Sequence, residues 1–143
     1  VKSMKNKHSA LQLILTLSKV QAVINRKMDG QLSVHGLGSN DFIILYYLAQ
    51  AEGKKIRRID LADKIGVTAS GITRMLAPME KIGLISRESN ERDARISYVI
   101  LTEAGKRLYE EGLVTAEFVA SELFPSVKSK KMDNVIEMME EII

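Results

Sequence analysis

A mainly α-helical chain carrying one small β-hairpin is what this sequence predicts, on three observations. Two short helical patterns, Arg58–Ile65 and Ala69–Lys81, flank a tight turn at Gly66-Val67. Two runs rich in branched residues, Leu84–Arg87 and Ile96–Leu101, follow and bracket a charged tip, Glu91-Arg92-Asp93-Ala94-Arg95. Long amphipathic patterns lie on either side of this block. Helix, turn, helix and a two-stranded ribbon with a basic tip make a winged helix-turn-helix, flanked here by long N- and C-terminal helices. That architecture reads double-stranded DNA.

The first element spans His8–Asp29. Ala10, Leu13, Leu17, Val20 and Ile24 form one apolar row, and Leu11, Ile14, Leu15 and Val23 a second. The face is wider than one small core needs. Gly30 should break the helix, leaving residues 30–38 as a connector. Ser39 is a good N-cap for a helix over Asn40–Ala51, with Asp41 favourable in its first turn. Gly53 should stop that helix.

The next helix, Arg58–Ile65, follows Arg57, which is a poor N-cap. Ala62 is small where the second helix crosses, and Gly66 tolerates the left-handed backbone of the turn. Leu61, Ile65, Val67, Ile72 and Met75 or Leu76 are placed to anchor both helices inward. Thr68 caps Ala69–Lys81, and Gly83 ends it. Pro78 removes one backbone bond inside this helix and should bend it near Arg74–Ala77.

The face Thr68, Ala69, Ser70, Gly71, Thr73, Arg74 is short and polar, so it can approach a major-groove floor. Arg74 suits a guanine edge or a phosphate, and Ser70 and Thr73 suit phosphate or base-edge contacts. The blander reading is that these residues simply open a solvated helix. In the hairpin, Val99 and Leu101 should share the inward face. Arg92 and Arg95 occupy the tip, where an arginine can enter the narrow minor groove. Asp93 lies two residues from Arg95 and can orient its guanidinium. Thr102-Glu103 opens a helix to about Leu123, which Pro125 ends. The last helix covers about Lys130–Ile143, with Met132, Val135, Ile136, Met139, Ile142 and Ile143 as its stripe.

Composition narrows the function. The 143 residues suit one domain, or two small lobes sharing a core, and 45% hydrophobic residues are enough to fill it. Cysteine is absent, which excludes disulfides, thiolate metal sites and a cysteine redox sensor. His8 and His35 are too few for a typical His-rich metal site. No metal, cofactor or catalytic residue is expected. No phosphate loop, nucleophile elbow or complete dinucleotide fingerprint occurs. Gly36-x-Gly38 follows no clear strand and reads as a connector.

No apolar run approaches the roughly 18 residues that cross a bilayer, and no signal peptide is apparent. A cytoplasmic location is the expectation. Residues 53–107 hold twelve Lys/Arg against seven Asp/Glu, a balance of +5, so the rest of the chain carries −2 of the total +3. The positive charge therefore sits where phosphate neutralisation requires it.

Residues 56–105 resemble the winged helix-turn-helix of the multiple-antibiotic-resistance regulator (MarR) family. The matching residues are Leu61-Ala62, Ile65-Gly66, Ser70, Thr73-Arg74, Glu80-Lys81-x-Gly83-Leu84, Asp93-x-Arg95 and Leu101-Thr102-Glu103-Ala104-Gly105. The flanking helices fit as well. Arg57, in place of the usual hydroxyl cap, and Pro78 depart from the pattern.

The resemblance implies an obligate homodimer with interlocked first and last helices. It implies a DNA-binding regulator, in many members a repressor released by a small aromatic or anionic ligand. Residues 1–37 and 103–143 become a helical dimerisation region, and 38–102 the DNA-binding lobe. The partner expected is a pseudo-palindromic operator in double-stranded DNA, with no membrane involved. Thr68, Ser70, Gly71, Thr73 and Arg74 become the recognition-helix contacts, and Arg92, Asp93 and Arg95 those of the wing. Met28, His35, Tyr46, Tyr47 and Tyr109 are candidates for an effector pocket where the long helices meet the winged lobe. A winged protein-interaction module without DNA binding is the alternative; Arg74, Arg92 and Arg95 argue against it. An enzyme is the remoter one.

Overall fold

A computed structural model of the chain describes residues 2–143. Helix α1 spans Lys2–Leu32, longer than its apolar pattern implies at both ends. Gly30 does not break it. Glycine in a helix interior costs only about 1 kcal/mol, and the turn beyond Gly30 places Leu32 fully inside the core. A 3₁₀ turn, Ser33–His35, ends at Gly36 in the left-handed conformation.

Helix α2 runs Ser39–Gln50, and its N-cap is Gly38, not Ser39. Two carboxylates do the capping, one from the first turn of α2 itself and one from α1. Asp41 Oδ2 accepts from the Gly38 N–H at 2.8 Å, and Asp29 Oδ1 accepts from the Ser39 N–H at 2.7 Å. Ser39 is thereby buried at the junction between α1 and α2. A 3₁₀ turn, Glu52–Lys54, follows with Gly53 at φ 67°.

Lys55–Arg57 is a β-strand, β1, which the sequence pattern does not announce. Three residues with one apolar member, Ile56, are too short for an alternation to register. The ribbon is therefore a three-stranded antiparallel sheet in the order β1-β3-β2, with β2 over Ile85–Ser89 and β3 over Ser97–Leu101. Ile56 pairs with Val99, and Ile85 with Leu101. Ile56, Ile85, Val99 and Leu101 all point into the core, as the inward placement of Val99 and Leu101 requires.

Helices α3, Arg58–Ile65, and α4, Ala69–Lys81, have the bounds expected of them. Helix α4 is continuous through Pro78. Its buried stripe, Ile72, Leu76 and Met79, carries on across the proline and holds the last turn on the core. Helix α5 spans Glu103–Leu123, capped by the Thr102 hydroxyl, and α6 spans Ser129–Glu140, ending short of Ile143. One core joins the winged elements to Leu32, Leu37 and Tyr109. Helix α5 packs on both α1 and α2 and so ties the two parts together.

Candidate nucleic-acid interface

The site begins at the turn between α3 and α4. Gly66 takes φ 83°, a conformation that a side chain resists. Its N–H donates to the Ala62 carbonyl at 2.9 Å, and the Val67 N–H donates to the same oxygen at 3.0 Å. Ala62 is buried where the helices cross, which is why a small residue is needed there. Thr68 then caps α4, its Oγ1 accepting from the Gly71 N–H at 3.0 Å. A Cβ at Gly71 would lie 3.1 Å from that oxygen, so Gly71 keeps the cap tight.

With Ile72, Leu76 and Met79 inside, α4 turns Ala69, Ser70, Thr73, Arg74 and Ala77 to solvent. These side chains are short except Arg74. Among the described residues Arg74 has no hydrogen bond or ion pair, so its guanidinium is free for a ligand. The hydroxyls differ. Thr68 is occupied by the cap and lies 3.2 Å from Ser70 Oγ. Thr73 Oγ1 donates to the Ala69 carbonyl at 3.0 Å and accepts from Arg58 Nη1 at 2.8 Å.

The wing is braced from within. Asn90 Oδ1 accepts from the Arg92 N–H at 2.8 Å and the Asp93 N–H at 3.2 Å, an Asx turn that reverses the chain. Asp93 Oδ1 accepts from the Arg95 N–H at 3.0 Å and from its Nε at 3.1 Å, while Oδ2 accepts from Nη2 at 3.2 Å. This forked pair fixes the guanidinium although its side chain is 91% exposed. The bonds from Arg95, aided by the charge of Arg57, hold the Asp93 carboxyl below the usual aspartate range; slight desolvation opposes them. Among the described residues Nη1 of Arg95 has no hydrogen-bond partner. Arg92 is exposed on the same tip.

Two links tie wing to recognition helix. Arg87 of β2 donates from Nε to Glu80 of α4 at 2.9 Å. Thr102 Oγ1 lies 2.6 Å from the Gly83 carbonyl and 2.9 Å from that of Leu84. The same oxygen accepts from the Gly105 N–H at 3.0 Å. A Cβ at Gly105 would fall 2.1 Å from the Leu84 carbonyl oxygen, so only glycine lets α5 start this close to the sheet. That is the physical content of the Leu-Thr-Glu-Ala-Gly run.

The structure thus gathers Thr68, Ser70, Gly71, Thr73 and Arg74 on one face, and Arg92, Asp93 and Arg95 at one tip. It adds Arg58, Arg87 and Asn90, which reading the sequence missed. Asn90 carried a signal, an asparagine opening a polar turn. The Arg58–Thr73 link joins residues fifteen positions apart and carried none.

The proposed effector residues behave differently. Phe42 stacks on Tyr109 at 5.8 Å, Tyr46 tilts against Tyr109 at 6.4 Å, and Tyr47 meets Tyr46 edge-on. Gln50 Nε2 donates to the Tyr109 hydroxyl at 3.3 Å. Burial raises the Tyr109 phenol above its ordinary value, the Gln50 bond offsetting part of this. Met28 packs on the core, and His35 Nε2 bonds Thr115 Oγ1 at 2.8 Å. The three tyrosines form one aromatic group with Phe42, with Tyr109 buried and Tyr46 exposed; among the described residues Met28 and His35 make no hydrogen bond or ring contact to it. Among the described residues no helix is long and apolar enough to cross a membrane, and no cluster of metal-ligating side chains occurs.

Comparison with known proteins follows the same lines. Residues 37–97 match the model of the MarR family. The HTH-type transcriptional repressor YetL of Bacillus subtilis is 26% identical over 130 residues, covering 91% of this chain and 78% of that protein. Sco3205, a MarR family transcriptional regulator from Streptomyces coelicolor solved in complex with DNA, superimposes with a TM-score of 0.81 at 21% identity, covering 92% of this chain and 84% of that one. CouR from Rhodococcus jostii RHA1, solved bound to p-coumaroyl-CoA, gives a TM-score of 0.81 at 21% identity over 91% and 90% of the two chains.

Proposed function

We propose that this chain, whose residues 37–97 match the MarR family model, is a regulator of that family that binds a pseudo-palindromic operator as a homodimer and represses transcription until a small aromatic or anionic effector releases it. One observation carries the DNA reading: an exposed arginine at the wing tip is held in one orientation by a forked carboxylate, beside a recognition helix whose outer face holds Ser70, Thr73 and an unpaired Arg74. A free surface arginine gains nothing from such a brace. An arginine that must enter a narrow groove saves the entropy of being ordered on binding. In this reading Thr68, Ser70, Gly71, Thr73 and Arg74 meet the major groove, and Arg92 and Arg95 the adjacent minor groove.

Residues 38–102 form the reading lobe, and 1–37 with 103–143 the dimerisation region. Support for the dimer comes from apolar side chains left on the surface. Ile14 and Leu15 of α1 are each 62% exposed and Val114 of α5 is 71% exposed. Phe124, Met132, Val135 and Ile136 line an apolar groove of about 330 Å³ beside α6. A second copy offers the same surfaces in return, as twofold symmetry demands. For the effector, the reading takes Met28, His35, Tyr46, Tyr47 and Tyr109 as the group that senses it. In this reading a ligand wedged among α1, α2 and α5 would change the angle of the lobe. The repressor at 26% identity and the solved relative that holds an aromatic acyl thioester support this part.

Footprinting tests it. Protection should cover two half-sites whose centres lie about one helical turn, roughly 34–36 Å, apart. Affinity should fall steeply with salt, as phosphate neutralisation requires. A single asymmetric half-site, or binding indifferent to salt, would count against it. A thermal-shift screen of aromatic carboxylates and acyl thioesters checks the effector, and a hit should also lower operator affinity.

A further inference from the structure

Thr73 stands on the outer face of α4, yet its hydroxyl is already committed. The single proton goes to the Ala69 carbonyl at 3.0 Å, and a lone pair takes the Arg58 Nη1 proton at 2.8 Å. The same Nη1 also reaches the Ala69 carbonyl at 3.2 Å, which closes a three-member network across the helix-turn-helix. Arg58 is half-buried in the first turn of α3, and its guanidinium reaches across the turn to α4. To donate to a base, Thr73 would have to give up its bond to Ala69, and turning about χ1 would also break the bond from Arg58. Thr73 has no proton left to donate; a second lone pair and the γ-methyl remain, and of these only the methyl distinguishes threonine from serine.

We propose that Thr73 is a specificity-determining residue that reads the C5-methyl of a thymine by apolar contact, and that Arg58 is the positioning residue that makes it do so. The inference rests on the DNA-binding reading above. In the major groove a thymine presents a methyl that no other unmodified base has, and a threonine methyl is a fitting partner for it. Serine, with a similar hydroxyl, has no methyl. Valine, with the same branching, keeps a methyl and loses the hydroxyl. The two roles of Thr73 therefore come apart by substitution. Base-edge hydrogen bonding falls to Ser70 and Arg74, whose polar atoms are not tied to the backbone.

The probe is the duplex that the wild-type protein recovers from a random-sequence DNA library, remade with deoxyuracil in place of thymine at one position at a time. The wild type should lose about three- to fivefold in affinity at one thymine per half-site, the size of one buried methyl. Thr73→Ser should bind thymine and deoxyuracil duplexes equally, whereas Thr73→Val should keep the thymine preference. Arg58→Met should shrink that preference by freeing the Thr73 hydroxyl to rotate. Circular-dichroism melting checks that each variant is folded, and a preference ratio is not moved by a merely structural role. A recovered duplex with no methyl-sensitive thymine overturns the inference alone. So does a preference that survives in Thr73→Ser or vanishes in Thr73→Val. A preference unchanged in Arg58→Met removes Arg58 from it. A library from which the wild type recovers nothing overturns the DNA-binding reading instead, and this inference with it.

Discussion

The winged lobe and the terminal helices use apolar residues in opposite ways. In the lobe, Leu45, Leu48, Leu61, Ile72, Ile85 and Val99 from five different elements are fully buried against one another. Helix α6 has no buried residue, and among the described residues of α1 only Leu32, at its very end, is buried, while Leu11, Ile14 and Leu15 stand more than half exposed. The lobe is complete within one chain. The terminal helices are not, and a soluble monomer rarely tolerates so much contiguous apolar surface. The contrast separates two kinds of stability. One belongs to the protomer, and the other, in the proposed dimer, would depend on a partner and therefore on concentration.

The largest effect should come from the incomplete side. Val135→Asp with Met139→Asp puts two charges into the face expected to be buried between copies. Two apolar side chains are worth roughly 3–6 kcal/mol together, so the dimer should dissociate or the helix unfold. Sedimentation and the concentration dependence of melting report it. A wild type that stays monomeric at micromolar concentration would erase the contrast itself.

Gly105→Ala should come next, and it acts on the complete side. Its Cβ meets a backbone oxygen that cannot swing away. The cost should be about 1–3 kcal/mol of protomer stability, as for other overpacked sites. Melting should fall by the same free energy at every protein concentration. A loss that scales with concentration would place this site in the dimer interface instead.

Arg95→Ala should leave both kinds of stability nearly unchanged, because the side chain is solvent-exposed. It should weaken operator binding by about 1–3 kcal/mol and make the salt dependence shallower, since two cations leave each dimer. Unchanged affinity and salt slope would remove the wing from DNA reading. Asp93→Ala should give a smaller loss, by disordering Arg95. The Asp93 carboxyl is held below its ordinary 3.8, so its folded form is favoured above that value and loses this contribution only as pH falls through the depressed one. The Arg95-dependent part of the affinity should therefore be flat from about pH 8 down to about pH 5. A titration with a step in that range would mean that Asp93 is not the brace.

Much of the fold was legible because its signals are local. Thr68 and Thr102 cap helices through their own side chains, Gly66 and Gly83 stop helices by their own backbone freedom, and Asp93 reaches Arg95 two residues away. The apolar spacing of Leu76, Met79 and Ile82 predicts that α4 continues across Pro78, and it does, although Ile82 itself is exposed. The MarR resemblance rested on the same residues, and residues 37–97 match that family.

What only the tertiary structure decided lies in long-range pairings. Strand β1 exists because β3 offers an edge to Lys55–Arg57, not because three residues have a strand preference. Gly38 rather than Ser39 caps α2 because Asp29, ten residues back, brings its carboxylate to that spot. Arg58 reaches Thr73 only once α3 and α4 have crossed. The effector candidates were chosen by residue type, and folding spent Tyr109 and Met28 largely on the core. Caps, turns and periodic faces are decided by neighbours along the chain, where a few bonded atoms set the geometry. Strand partners, borrowed caps and the duty of an exposed hydroxyl depend on which distant groups arrive, and that is settled only when the core has closed.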